Sequence, residues 1–326
     1  MTSSTARAKY LCIGGVLLLL GFAVLSLFIG KYPLSLQKLF EGDRLQWQVF
    51  LTLRLSRTAV GVIGGFALGV AGFVYQTVFR NPLASPDVIG VSSGASAGAA
   101  AGILFFSGTF AVTVSAFAGA LLAVVLALGL SALDRNGRNG TVVLAGIAVH
   151  SLAQTALMCL KLTADPEREL ASIEYWIMGS LNGVSLYSAG INLLICGVCV
   201  AVLLLLHRQT VLLSAEEGEA RMLGVSVTPL RLCILLLSTL AVAAVVSLSG
   251  LISFVGLLAP HGARLLTKNN KLGTALLSGL LGGVILCGAD ILARSIASTE
   301  LPISIFTSLL GAPLLIILIV RGRKQI

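Results

Sequence analysis

Solid apolar runs of close to twenty residues, separated by short polar stretches, recur along the whole chain. They fall near 11–29, 58–79, 87–106, 109–132, 141–160, 187–206, 229–248, 250–266, 273–292 and 303–320. A helix that crosses a bilayer needs about 20 consecutive apolar residues. The pattern therefore predicts an all-α polytopic membrane protein with about ten transmembrane helices. Barrel strands would alternate apolar and polar positions over ~10 residues, and these runs do not alternate. The stretch 229–266 reads as two spans, divided at the Ser-Leu-Ser-Gly turn of 247–250 and at Pro260, because Gly and Pro punctuate helices. One long span is the alternative there. The run Leu11–Ile29 exceeds the about 7–15 residues of a signal-peptide core and precedes no A-x-A site, so it reads as a retained first span.

Composition agrees. Of 326 residues, 57% are hydrophobic and 11% charged, and no single soluble core of this length could hide so much apolar surface. The net charge of +9 suggests nucleic acid only superficially, since no basic patch is interleaved with aromatics. In membrane proteins Lys and Arg collect in cytoplasmic loops. With the N-terminus inside, 14 of the 22 basic residues fall on the cytoplasmic side, which predicts cytoplasmic N- and C-termini. Six cysteines (Cys12, Cys159, Cys196, Cys199, Cys233 and Cys287) lie in apolar runs and read as small core residues, with no disulfide framework.

Residues 1–326 read as one transmembrane domain with outer loops at 31–57 and 161–186 and a cytoplasmic loop at 207–228. Ser85-Pro86-Asp87 and Thr228-Pro229 have the form of helix starts. Gly61, Gly65, Gly69 and Gly72 in the second span, and Gly90, Gly94, Gly98 and Gly102 in the third, sit at spacings that let helix backbones approach closely in lipid. The third span, rich in Ser and Ala besides, is expected inside the bundle. Packing explains these glycines; sliding between helices is the alternative.

The loop 207–228 is unusually structured for a connector. Ser214 followed by Glu217 resembles a capping box, Gly218 interrupts, and Gly224 is placed as a helix C′ residue. Ala220 and Leu223 share an apolar side, while Glu216, Glu217, Glu219 and Arg221 face water, an arrangement suited to docking a cytoplasmic partner. Gln76, Asn81 and Asp87 mark a chain reversal. A broken or tilted helix is expected at Pro260. Asp290 and Arg294, four apart and deep in the ninth run, suit an acid-before-base helical pair, because a lone carboxylate in lipid is costly; contact with a transported substrate is the alternative. His150 and His261 are isolated, and no ligand set with metal-binding spacing is present.

Arg54-Leu-Ser-Arg57, Gln76 with Arg80-Asn-Pro-Leu-Ala-Ser-Pro86, Glu219-Ala-Arg-Met-Leu-Gly224, the Gly250 to Arg264 segment with Pro260-His261, and Glu300-Leu-Pro302 together resemble the FecCD/BtuC family. These are permease subunits of type II ABC importers for iron–siderophores, haem and cobalamin. The resemblance covers essentially the whole chain and is uninformative about the substrate. It implies ten spans, a homo- or heterodimer of permeases, two cytoplasmic ATP-binding cassette subunits that use ATP and Mg, an extracytoplasmic substrate-binding protein, and a bacterial or archaeal cytoplasmic membrane. It further implies that Ser214, Glu216, Glu217, Gly218, Glu219, Ala220, Arg221, Leu223 and Gly224 couple to the ATPase. By the same resemblance, outward-facing Arg54, Arg57 and Arg294 dock the binding protein, and Gln76, Asn81, Pro82, Pro260 and His261 belong to the translocation path or gate. The family often has Pro where Ser56 stands, which is expected to loosen the start of the second span.

No G-x-x-x-x-G-K-[ST] phosphate loop occurs, so ATP hydrolysis and its cofactors are expected on a separate polypeptide and no cofactor on this chain. Two rival readings are an ion-driven secondary transporter, which needs intramembrane acids beyond Asp290, and an intramembrane serine hydrolase built on Ser96 with His150 or His261.

Overall fold

Every predicted apolar run forms a helix in the computed structural model, which describes residues 2–133, 139–184, 186–214 and 226–322. In chain order these are α1 (Thr2–Phe28), α2 (Arg44–Val78), α3 (Val91–Phe105), α4 (Thr109–Ala132), α5 (Asn139–Thr163), α6 (Leu186–Leu205), α7 (Val227–Ser249), α8 (Val255–Thr267), α9 (Leu272–Ser295) and α10 (Ile303–Gly322). Short helices at Leu36–Phe40, Glu169–Met178 and His207–Leu212 decorate the connections. Six of the ten (α1, α2, α4, α5, α7 and α9) are long and apolar enough to cross a membrane unaided, and α3, α6 and α10 offer shorter apolar stretches. At 13 residues α8 rises only about 20 Å, less than a hydrocarbon core of about 30 Å.

Two boundaries differ from the sequence reading. The second span begins at Arg44 rather than 58, so much of the expected outer loop 31–57 is helical and α2 runs 35 residues. The segment Arg44–Leu55 holds no Gly or Pro, and its Gln46 and Arg54 find partners inside the protein, so nothing stops the helix. Two π-helical stretches, Phe50–Leu55 and Val60–Gly64, widen its turns and shift which face points inward. The third span begins at Val91, after a 3₁₀ turn at Pro86–Ile89 and a left-handed Gly90, and Ser85 makes no capping bond.

The division of 229–266 is real, but it falls at 250–254, between Gly250 (φ +69°) and Phe254 (φ +66°). The helix continues through Pro260, in contrast to the break expected there. The carbonyl that Pro260 cannot bond belongs to Gly256, and that oxygen lies against the open face of Gly72 on α2. The non-helical stretch is tied down: Leu251 O accepts from Ser304 Oγ at 2.6 Å, and Ser249 O from Ser180 N at 2.7 Å. Irregular backbone at membrane depth persists only when protein satisfies it in this way.

The centre of the bundle is α2, packed against α7, α8 and α9, and α1 lies outside α9. Small residues set this arrangement. Gly65 and Gly69 of α2 face Gly282 and Ser278 of α9 so closely that a methyl on any of the glycines would strike backbone opposite. Gly94 and Gly98 of α3 meet Gly119 and Ser115 of α4 in the same manner. Hydrocarbon offers helices no hydrophobic reason to associate, so this backbone proximity and its dispersion contacts hold the bundle. The third helix is accordingly buried along its Ser93, Gly94, Ser96, Ala99 and Ala100 face.

Two glycines make a controlled comparison. Gly69→Ala places a methyl at the Ser278 carbonyl and should lower stability by about 1–3 kcal/mol. Gly14→Ala on α1 meets no atom within 4 Å and should be neutral or stabilising by up to about 1 kcal/mol. Thermal unfolding in detergent would distinguish them, and equal melting of both variants would contradict the packing account.

Candidate functional site

Buried charged residues of α2 and α9 converge around Arg57. Arg57 donates from Nη2 to Asp290 Oδ1 at 2.9 Å and from Nη1 to Glu300 Oε1 at 3.0 Å. Arg294, one turn beyond Asp290 on α9, brings Nε to 3.2 Å from Asp290 Oδ2 as an ion pair and donates from Nη2 to Ser26 Oγ at 2.6 Å. Ser26 in turn shares a hydrogen bond with Thr58 at 2.8 Å. Arg54 donates to the carbonyls of Ile29 and Tyr32 at 3.0 and 2.9 Å. The cluster joins α1, α2, α9 and the Glu300 segment ahead of α10.

Arg54, Arg57 and Arg294 were expected to face outward and meet a binding protein; they are 5%, 7% and 2% exposed. Two carboxylates, a hydroxyl and two carbonyls occupy them. The physical reason is that Asp290 is buried and must be neutralised where it stands, and guanidinium is the group best suited to several simultaneous bonds. The sequence reading did not anticipate Glu300 or Ser26 as partners. Glu300 stood in the Glu-Leu-Pro segment, and Ser26 is the sole hydroxyl within 11–29, so both carried a usable signal.

About 28 Å further along α2, a second polar group closes the opposite end. Arg264 of α8 donates to Gln76 Oε1, to Thr77 Oγ1 at 2.9 Å and to Asn270 Oδ1 at 2.7 Å. Its guanidinium carbon lies 5.0 Å from the Phe73 ring centroid. Gln76 Nε2 donates to Leu257 O at 3.2 Å. Gln76 is thus a buried staple between α2 and α8, and Arg264 is its unforeseen partner. Asn81 and Pro82 are exposed just past α2, where Asn81 Oδ1 accepts from Leu83 N at 2.9 Å in a local turn. Pro260 is buried in α8, and His261 Nε2 has no hydrogen-bond partner among the described residues.

The loop 207–228 begins as the helix His207–Leu212, and Ser214 Oγ donates to Val211 O at 2.6 Å. Glu216, Glu217, Gly218, Glu219, Ala220, Arg221, Leu223 and Gly224 lie outside the described residues. Ser96, the nucleophile of the hydrolase alternative, donates its hydroxyl to Ser92 O at 2.9 Å within its own helix. It shares a cavity of about 420 Å³ with Asp87, His150 and Gln154.

The buried cluster makes a clear energetic prediction. Arg57→Ala leaves Asp290 and Glu300 facing a void and should destabilise the protein by about 3–5 kcal/mol, with Asp290→Asn recovering part of the loss in the double variant. Thermal unfolding in detergent tests this. A surface docking role for Arg57 would instead leave stability intact and weaken only the association with a binding protein.

Known proteins place this architecture. Residues 17–321 match the FecCD transport family. The chain is 36% identical to the molybdate import system permease protein of Haemophilus influenzae, covering 95% of both chains. It is 36% identical to the hemin transport system permease protein of Yersinia pestis (94% of this chain, 97% of that one) and 35% identical to the vitamin B12 import system permease protein of Vibrio cholerae (98% and 95%). A solved structure of a metal-chelate type ABC transporter in an inward-facing conformation superposes with a TM-score of 0.84 at 34% identity, over 96% of this chain and 99% of that chain. With ten helices in the expected order and a family match along nearly its whole length, the chain belongs to the FecCD transport family of ABC-importer permeases.

Proposed function

We propose that this chain, paired with a second permease subunit, lines the membrane path of an importer whose energy comes from two separate ATP-binding cassette subunits. A substrate-binding protein on the opposite face delivers the cargo. The relatives are named for molybdate, hemin and vitamin B12. The cargo class that covers them is a metal-containing anion or metal chelate, wider than the iron–siderophore, haem or cobalamin class that the sequence suggests. The N- and C-termini and the loop 207–228 face the cytoplasm in this reading, as the distribution of basic residues favours.

The observation that carries the proposal is the engagement of Asp290. It is 1% exposed, and Arg57 and Arg294 both hold it. An ion-driven carrier needs intramembrane acids able to gain and lose an ion during the cycle. Here the buried acid is committed to structure, which favours an external energy source.

In this mechanism ATP binding draws the two ATPases together, the segment from Ser214 to Gly224 is displaced, and the helices re-pack to open the path to the other side. Replacing 217–224 by a Gly/Ser linker should abolish uptake and remove the stimulation of ATP hydrolysis by the loaded binding protein, with the amount of chain in the membrane unchanged. Radiolabelled uptake in cells with ATPase assays on the purified complex makes the check; normal uptake by the linker variant overturns the coupling role.

A further inference from the structure

At the end of the bundle that carries the N-terminus, a cavity of about 990 Å³ opens between α1, α9 and the helix His207–Leu212. Its walls are apolar, with Ile13, Val16 and Leu17 of α1 facing Leu276 of α9. Its rim is basic: Lys9, Arg208 and Lys271 come from three different elements, and no Asp or Glu among the described residues lines the cavity. Cys12 Sγ donates to Gly273 O at 3.4 Å and fixes the approach of α1 to α9 there. The start of α9 opens at the same rim, and no side chain caps it. Its first backbone N–H groups and the positive end of its dipole add to the attraction for an anion.

We propose that this groove binds one anionic glycerophospholipid, with the phosphate held by Lys9, Arg208, Lys271 and the α9 N-terminus and an acyl chain lying along α1. Three observations converge on that occupant. Lys9 to Leu17 spans about 12 Å of helix, close to the roughly 15 Å depth of one leaflet, so charge lies at headgroup level and the apolar wall at chain level. α1 is the least buried of the six long helices, so this flank meets lipid. The three cations, all exposed, lack an ion-pair partner among the described residues. Basic pockets between helices are the expected sites for anionic headgroups. A soluble phosphate would leave the apolar wall unused.

Bound there, the lipid would bridge the first helix, the ninth helix and the helix His207–Leu212 that begins loop 207–228. It would thereby link membrane composition to the segment proposed to receive mechanical work. The groove itself does not depend on that role.

Native mass spectrometry of the purified complex in micelles doped with dioleoylphosphatidylglycerol or dioleoylphosphatidylcholine tests the site. The wild-type complex should retain the anionic lipid, one per copy of this chain, in clear preference to the neutral one. The triple variant Lys9→Ala, Arg208→Ala, Lys271→Ala should bind roughly a hundredfold more weakly, since each cation near an anionic headgroup contributes a factor of roughly five. Val16→Trp fills the groove, keeps all three charges and should also lose the lipid. Glycerol phosphate, which lacks the tails, should not compete. Equal retention of the two lipids, an unchanged triple variant, an unaffected Val16→Trp variant, effective competition by glycerol phosphate, or no lipid on the wild type would each overturn the proposal. Lys9, Arg208 and Lys271 are exposed, so wild type and triple variant should melt alike in lipid-free detergent, which shows that binding, not structure, has changed.

Discussion

Hydrocarbon offers no hydrogen bonds, and that constraint shapes every polar feature of this protein. A carboxylate inside the bundle must be neutralised by the protein itself. Asp290 is held by Arg57 from one helix and Arg294 from its own, and Arg57 reaches on to Glu300. One buried acid thus fixes the relative positions of α2, α9 and the start of α10. Removing any member leaves a buried charge exposed to low dielectric, which is why such clusters tolerate loss of one partner poorly.

The same constraint explains the glycines. Without a hydrophobic drive between helices, α2 and α9 associate because Gly65, Gly69, Gly282 and Ser278 let their backbones touch. That closeness brings Arg57 within reach of Asp290. At the far end Arg264 bonds Gln76 and Thr77, tying α8 to the same helix. The three helices form a frame closed by polar groups at both ends and by backbone contact between them. The break at 250–254 separates this frame's α8 from α7; Ser304 bonds its Leu251 carbonyl, and Ser180 bonds the last carbonyl of α7.

Much of this was legible from residue order alone. Apolar runs located all ten helices because span length is dictated by bilayer thickness. Four-residue glycine spacing marked α3 as a buried helix because only small side chains permit backbone contact. The spacing of Asp290 and Arg294 indicated their pairing because residues four apart share a helix face. What stayed hidden was long-range. Arg57 and Asp290 are separated by 233 positions, and nothing local says that one will bury itself to meet the other. A start at Arg44 was likewise obscured, since polar residues in a helix flank read as loop until their internal partners are known. Pro260 misled for a related reason: its unbondable carbonyl partner, Gly256, sits against Gly72, so the helix survives.

These features bear on energy. The acid held by two arginines is committed to structure, and on that ground we propose that work enters from outside the membrane. The most direct measurement is uptake into proteoliposomes that contain this chain with the proposed ATPase and permease partners and receive cargo from the proposed binding protein. The account predicts uptake that requires ATP and persists when proton and sodium gradients are collapsed. Uptake by the chain without ATPase subunits, driven by an imposed ion gradient, would contradict it.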